Sequence, residues 1–297
     1  MAVMLALAVI LAGSSGDKPA EPEYLPVPLE TPPFQYTLDR EALEFHTLEL
    51  VECEENGITD YDEWFDYIIG WPAVTYHNGG SNDAIRGSYP PDMVPTVLPV
   101  PGGYRFHLYM VIYGHEKTLA FYGSEPNRFD VILDPRILMI MDYYTYEPEL
   151  ILDFQTYSHS PEDREEDADF LFQQLRWADV QQGVLYVSTA HRTYSESSGG
   201  LNAYITAIDM NTLEILWRSR PLVAGSGNFL IEGDTIISGY GFTGEDDYVY
   251  LLNRLTGEVM ESCSVPSAPE YFHRDEDRLY VRCYGHDCVF AVRPASR

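Results

Sequence analysis

With 297 residues the chain can bury a large core without needing metals or disulfides to fold. Its 47 acidic residues against 18 basic ones give a formal net charge of −29, a field that repels nucleic-acid phosphates and anionic membranes, and no local basic patch in the sequence offsets it. An apolar content of 45% spread in short blocks excludes collagen-like and wholly disordered chains, and 13% aromatic residues, including 23 Tyr and 13 Phe, favour strands over helices.

Residues 1–13 are almost wholly apolar, end in Leu11-Ala12-Gly13, and resemble the hydrophobic and cleavage regions of a secretory signal. The run is shorter than the roughly 20 residues a membrane-spanning helix needs. No Lys or Arg precedes it, and Ser14 stands where a lipidated Cys would be, so a lipid anchor is not supported. The expected location is extracytoplasmic, either periplasmic or secreted. Residues 14–35 carry six prolines, at 19, 22, 26, 28, 32 and 33, and read as a linker. The rest, 36–297, reads as one β domain with an irregular N-terminal part.

Within that part, Leu43, Phe45, Leu48, Leu50 and Val51 fit either a strand or a short helix, and Trp64, Phe65, Ile68 and Ile69 stand at helical spacing after Thr59. Residues 71–103 are rich in Gly, Asn and Pro and read as a long excursion. Strands are expected at 104–113, 118–122, 129–133, 137–143 and 150–154. The acidic run from Glu162 to Asp169 belongs in solvent, because six carboxylates cannot be desolvated together.

The last 120 residues repeat. The segment Ala203–Asp209 is matched by Asp247–Asn253 after 44 residues and by Asp287–Arg293 after 40 more. Each has a companion strand upstream, at 185–188, 235–238 and 278–282, and each companion has its own, at 175–180, 228–231 and 270–272. The first two units continue through a polar turn into a fourth strand, 214–218 and 258–262. A four-stranded antiparallel unit of this size cannot bury both faces alone, so such units stack radially. The fold class is therefore all-β, a β-propeller of four-stranded antiparallel blades, about five to seven in number. The last unit has only five residues after its third strand, including Pro294, which has no N–H to donate. Its fourth strand is expected from Ala42–Val51, with a bulge or a helix at the break between Phe45 and Leu48.

The run Ala207-Ile208-Asp209-Met210-Asn211-Thr212 with Trp217, and Leu251-Leu252-Asn253-Arg254-Leu255-Thr256-Gly257-Glu258 with Met260 in place of the Trp, resemble the repeat of the pyrroloquinoline-quinone-type propellers. The resemblance covers about two fifths of the chain and implies an architecture more than a chemistry, since that superfamily includes dehydrogenases, assembly scaffolds and binding proteins. Its cofactor and calcium motifs have no match here.

The first functional reading is a non-catalytic exported propeller acting as a binding or scaffold protein for a protein, peptide or glycan partner, with no nucleic acid and no stable membrane insertion. Trp64, Trp71, Tyr76 and Tyr89 are the candidate binding face, each with a core or inter-blade contact as the plainer alternative. The second reading is a quinoprotein-like or metal-dependent enzyme. His273, Asp275, Asp277, His286 and Asp287 are the candidate ligands for Zn²⁺ or Ca²⁺, against an acidic solvent-facing turn, while Glu245, Asp246 and Asp247 lack the alternation of a calcium loop. No catalytic residue and no cofactor is assigned, calcium being the ion to consider. Cys283 and Cys288 are expected to form a disulfide across a hairpin if the protein is exported, leaving Cys53 and Cys263 to pair by elimination. Trp217 is expected to pack over the seam between blades.

Overall fold

The structure is a computed structural model that describes residues 8–10, 23–24, 43–56, 74–77, 93–99, 105–124, 135–154, 173–191 and 193–295. Among these residues the secondary structure is β throughout, apart from one 3-10 turn at Ser195–Ser198. Two compact units divide the chain, the first comprising 1–29, 60–158 and 179–183, the second 30–59, 159–178 and 184–297.

The first unit contains β1 (Ala8–Ile10), β2 (Glu23–Tyr24), β4 (Val74–His77), β5 (Val97–Pro99), β6 (Arg105–Tyr113), β7 (Lys117–Gly123), β8 (Ile137–Asp142) and β9 (Pro148–Asp153). They form one eight-stranded sheet in the order β2-β1-β9-β8-β7-β6-β4, with β5 also on β6. The apolar content of β7 and β8 explains their central place. Leu119 to Tyr122 and Ile137 to Met141 are all buried, which suits strands covered on both faces. A strand from the signal-like segment, β1, pairs antiparallel with β9.

The second unit is built on the repeat. Its strands are β3 (His46–Glu55), β11 (Val184–Ala190), β12 (Tyr204–Asp209), β13 (Ile215–Arg218), β14 (Leu230–Glu232), β15 (Thr235–Tyr240), β16 (Tyr248–Asn253), β17 (Val259–Ser264), β18 (Pro269–Asp275), β19 (Arg278–Cys283) and β20 (His286–Pro294), and β10 (Gln174–Gln181) joins the sheet of β11. Three sheets result, ordered β10-β11-β12-β13, β14-β15-β16-β17 and β18-β19-β20-β3. All pairings are antiparallel. These are four-stranded blades of the propeller class expected from the repeat. The described residues form four sheets in all, where five to seven blades were expected. The expected strand at 129–133 and the helical spacing at 61–69 lie outside the described residues.

The last blade takes its fourth strand from the N-terminal side of the chain. Strand β3 runs antiparallel to β20, from His286 opposite Glu55 to Pro294 opposite His46. It starts four residues later than expected and has no helical part. The bulge falls between the partners of Val289 and Phe290, where Val51 is the unpaired residue, and not between Phe45 and Leu48. The extra residue changes the phase of the strand, so Leu48 and Cys53, five positions apart, both face the core. The strand's entry is clamped to the turn of the neighbouring blade. Glu44 N–H donates to Asp234 Oδ2 at 2.6 Å, Asp234 N–H donates to Glu44 O at 2.7 Å, and His46 N–H donates to Thr235 Oγ1 at 2.9 Å.

The cysteine pairing differs from expectation. The disulfide joins Cys53 to Cys288, while Cys283 and Cys263 are free thiols. In the β19–β20 hairpin Cys283 stands opposite His286, and Cys288 opposite Val281, so the two expected partners are out of register. The residue directly across from Cys288 is Cys53 on β3.

A turn joins the last two strands, in chain order, of three sheets and shows why the repeat has its residues. Asp209 Oδ1 accepts the N–H groups of Asn211 and Thr212 at 2.8 and 2.9 Å, and Thr212 Oγ1 accepts Glu214 N–H at 3.3 Å. Asn253 Oδ1 accepts Leu255 N–H at 2.8 Å, and Thr256 Oγ1 accepts Glu258 N–H at 3.3 Å. In the first unit Asp142 Oδ1 accepts Tyr144 and Thr145 N–H, and Thr145 Oγ1 accepts Glu147 N–H. Those amide bonds hold the Asp142 carboxyl below its ordinary pKa. The residue after each Thr is left-handed: Tyr146 at φ 57°, Leu213 at 61° and Gly257 at 73°. Only the last, a glycine, lacks the Cβ that makes this conformation costly.

Candidate functional site: an arginine–tyrosine groove

In the second unit, the outer strand β13 meets the turn that follows β16, and the reason is Trp217. Its indole is 6% exposed, and its Nε1–H donates to the carbonyl of Arg254 at 3.0 Å. A Cβ on Gly257 would lie 2.4 Å from Cε3 of that ring, so the glycine lets the turn lie flat on the indole. Tyr186 also packs against it with ring centroids 6.0 Å apart, its hydroxyl receiving Arg254 Nε–H at 3.0 Å.

Beside this seam opens a cavity of about 400 Å³, lined by Arg218, Arg220, Thr256, Gly257, Glu258 and Val259. The volume lies in the range of small-molecule and side-chain pockets. The two arginines have different settings. Arg218, the last residue of β13, holds its guanidinium 4.1 Å from the ring centroid of Tyr204. The exposed Arg220 lies 5.4 Å from that of Tyr250. Burial raises the hydroxyl pKa of both tyrosines, with the facing arginine pulling in the opposite direction, so both phenols stay neutral at physiological pH. Several other described cations pair with acids: Lys117 with Glu149, Arg136 with Asp153, Arg282 with Asp287 and Arg293 with Asp277. Arg220 has no carboxylate partner among the described residues. A guanidinium stacked on an aromatic face keeps its edge donors for a ligand, so the groove suits a planar acceptor such as a carboxylate or an amide.

The residues singled out in the sequence stand elsewhere. Trp64, Trp71 and Tyr89 lie outside the described residues, and Tyr76 is on β4 opposite Val111, its side chain outside the description. The structure does not bring the five candidate metal ligands together. Asp275 and Asp277 sit at the β18–β19 turn, where Asp277 pairs with Arg293 and Arg278, and His273 packs its ring on Tyr280. His286 and Asp287 sit at the other end of β19, where His286 Nδ1 bonds Ser267 Oγ at 3.1 Å and Asp287 pairs with Arg282 at 2.6 Å. Two strand ends separate the halves of the set. Glu245 is engaged in holding a loop, accepting Ser195 N–H and Oγ–H at 2.8 and 2.9 Å as well as the Tyr240 hydroxyl. Next to it, Asp247 is pushed up to about 6 by burial and by the charges of Asp246 and Glu245.

No sequence signal in one segment marks the groove, because Arg218 and Arg220 are nearly 40 residues from Thr256–Val259 and only stacking of the blades joins them. A second pair was also missed. His191 Nε2 and Ser198 Oγ lie 2.8 Å apart, but both residues are buried and the serine also bonds Ser195 O at 3.1 Å, so the pair braces its loop.

No family model matches the chain, and no curated protein matches it. Among solved structures it is similar to BamB from Moraxella catarrhalis, with 14% identity over 82% of this chain and 100% of that one and a TM-score of 0.33. It is also similar to the glutaminyl cyclase of Myxococcus xanthus, with 8% identity, coverage of 84% and 98%, and a TM-score of 0.35. A chain of a mitotic checkpoint complex gives 9% identity, coverage of 88% and 99%, and a TM-score of 0.39. At these scores the likenesses assign no activity, and the description of the chain rests on its own strand pairing: all-β, in four-stranded antiparallel blades.

Proposed function

We propose that this chain is a non-catalytic binding or scaffold protein, and that the arginine–tyrosine groove receives a segment of a protein partner. The observation that carries the reading is Arg220, an exposed guanidinium laid over Tyr250 beside an open cavity with no carboxylate of its own among the described residues. Arg and Tyr are the side chains that concentrate binding energy at protein interfaces, and here the Tyr250 ring is already buried with the Arg220 guanidinium over it. The turn residues shared with quinoprotein-type repeats support the same reading, because they hold Thr256 and Gly257 at the groove wall.

Export is part of the proposal. Its supports are the signal-like residues 1–13 and a disulfide, which persists in oxidising compartments. Among the described residues no helix is long and apolar enough to cross a membrane.

The test is capture from extracts of the native host on immobilised wild-type protein and on Arg220→Glu and Tyr250→Ala variants, followed by titration of whatever the wild type retains. The expected result is a retained protein that binds each variant about tenfold or more weakly, as hot-spot residues require. Equal affinity for wild type and both variants would remove the groove from the interface.

A further inference from the structure

Strand β3 is the outermost strand of its blade, and its far edge is open among the described residues. Its pairing is with β20 on one side, and from Thr47 to Glu55 no further backbone bond to a described residue engages the other side. Ten residues make this a long edge strand. Such an edge is a template for another strand, and folded proteins blunt it with charge, bulges or cover. Here the charge and the bulge are present, but so are two exposed apolar side chains that blunting would avoid: Leu50 is 52% exposed and Val51 46%. Around them stand Glu49, Glu52, Glu54 and Glu55, all exposed.

We infer that this edge is an interaction surface for a partner that adds an extended strand carrying lysine or arginine alternating with apolar residues. Main-chain bonds to the open edge would supply affinity, Leu50 and Val51 an apolar contact, and the glutamates register and sign. Charge complementarity works here at two ranges. The chain's net charge of −29 draws a cationic segment from a distance, and the glutamates oppose its cations once it is paired. A second copy of this chain fits poorly, because edge-to-edge pairing of two β3 strands sets glutamates against glutamates, and like charges directly opposite are destabilising. This surface involves none of the residues of the groove, so it stands or falls separately from the function proposed above.

The test is a titration of the oxidised full chain with a fluorescein-labelled peptide of four Lys-Val repeats, by anisotropy at physiological salt. Three controls accompany it: a Glu-Val peptide, a Lys-Val peptide N-methylated along one edge, and the protein variant Glu49→Lys/Glu52→Lys/Glu54→Lys. The expected result is saturable binding of the Lys-Val peptide, about tenfold or greater weakening by N-methylation and by the triple substitution, and no binding of the Glu-Val peptide. Amide exchange should slow within residues 47–55 when the peptide is added. Binding that survives N-methylation or the triple substitution would mean attraction to the acidic surface at large and would overturn the inference, as would absence of binding. Unchanged exchange in residues 47–55 under saturating peptide would overturn it as well, and this readout does not depend on any variant folding.

Discussion

The indole N–H of Trp217 in one blade donates to the main-chain carbonyl of Arg254 in the next, at 3.0 Å. One side chain thus joins two sheets both by a directional bond and by the area of its ring, and the turn it supports forms a wall of the groove.

Replacing Trp217 with Ala should lower stability by about 3 to 5 kcal/mol, since the ring is almost fully buried. Trp217→Phe should lose less, because much of the packing area remains. Gly257→Ala should be destabilising by about 1 to 3 kcal/mol, its Cβ meeting the indole at 2.4 Å in a left-handed backbone. Urea denaturation of the three variants checks the order. A Trp217→Ala protein with unchanged stability would show that the seam is held elsewhere.

Peptide mapping without reductant should find Cys53 joined to Cys288, with Cys263 and Cys283 recovered as thiols and the buried Cys283 alkylated only after unfolding. Burial and nearby carboxylates push the Cys283 thiol up to about 12, so it has little thiolate with which to attack the bond. The disulfide closes a loop spanning 235 residues, for which the chain-entropy model gives a stabilisation of about 5.5 kcal/mol. Cys53→Ala/Cys288→Ala should lower the urea midpoint as much as reduction does, while Cys283→Ser should leave the bond in place.

A pH signature is expected from Asp247, whose Oδ1 is buried and makes no hydrogen bond to a described residue. Its pKa in the folded chain is about 6 against an ordinary 3.8, so between those values the folded state holds a proton the unfolded state has lost. Its contribution to stability therefore falls as pH rises from about 4 to about 6, the reverse of a carboxylate with a lowered pKa. Asp247→Asn should remove that fall. Parallel stability curves for wild type and variant across the window would contradict it.

Asp209→Ala takes the acceptor from two turn amides and should cost about 1 to 2 kcal/mol, whereas Asp209→Asn, which keeps an acceptor, should cost less. The same comparison at Asp142 should give the same order, because that turn is built alike. Thermal unfolding of the four variants is the measurement. An Asn variant as damaged as the Ala variant would place the effect in charge and not in the acceptor.

The strands from residue 174 onward were legible because alternation and repetition reinforce each other there: every unit proposed from the spacing of Asp209, Asn253 and Arg293 is a sheet in the structure. The closing strand is legible for a different reason, since Pro294 has no N–H to give to a ladder and Leu43, Phe45, Leu48 and Leu50 offer apolar contacts to the strand before it. The copy of the turn at Asp142 is harder to read, because the expected strand 137–143 takes in its Asp and the tyrosines around Thr145 replace the residues that flank the Thr in the later turns. The disulfide is not legible in the sequence, because Cys283 and Cys288 share one hairpin while the true partner of Cys288 lies 235 residues away and only the β3–β20 register sets the two face to face. The metal ligands seemed adjacent because they are close in sequence, yet a hairpin carries neighbours in sequence to its two opposite ends.

Pairing between β3 and β20 also has a consequence for synthesis. Translation produces β3 early, but its partner is completed more than 200 residues later, a delay of roughly 10 to 50 s at ordinary elongation rates. During that interval the nascent chain carries a strand with no sheet to join, with Leu48, Leu50 and Val51 exposed and Cys53 unpaired while Cys288 has not yet been made. The glutamates around them keep that waiting segment soluble and averse to its own copies on neighbouring ribosomes. The last blade can therefore assemble only after the ribosome has released its final strand, so arrest anywhere upstream leaves β3 without its partner.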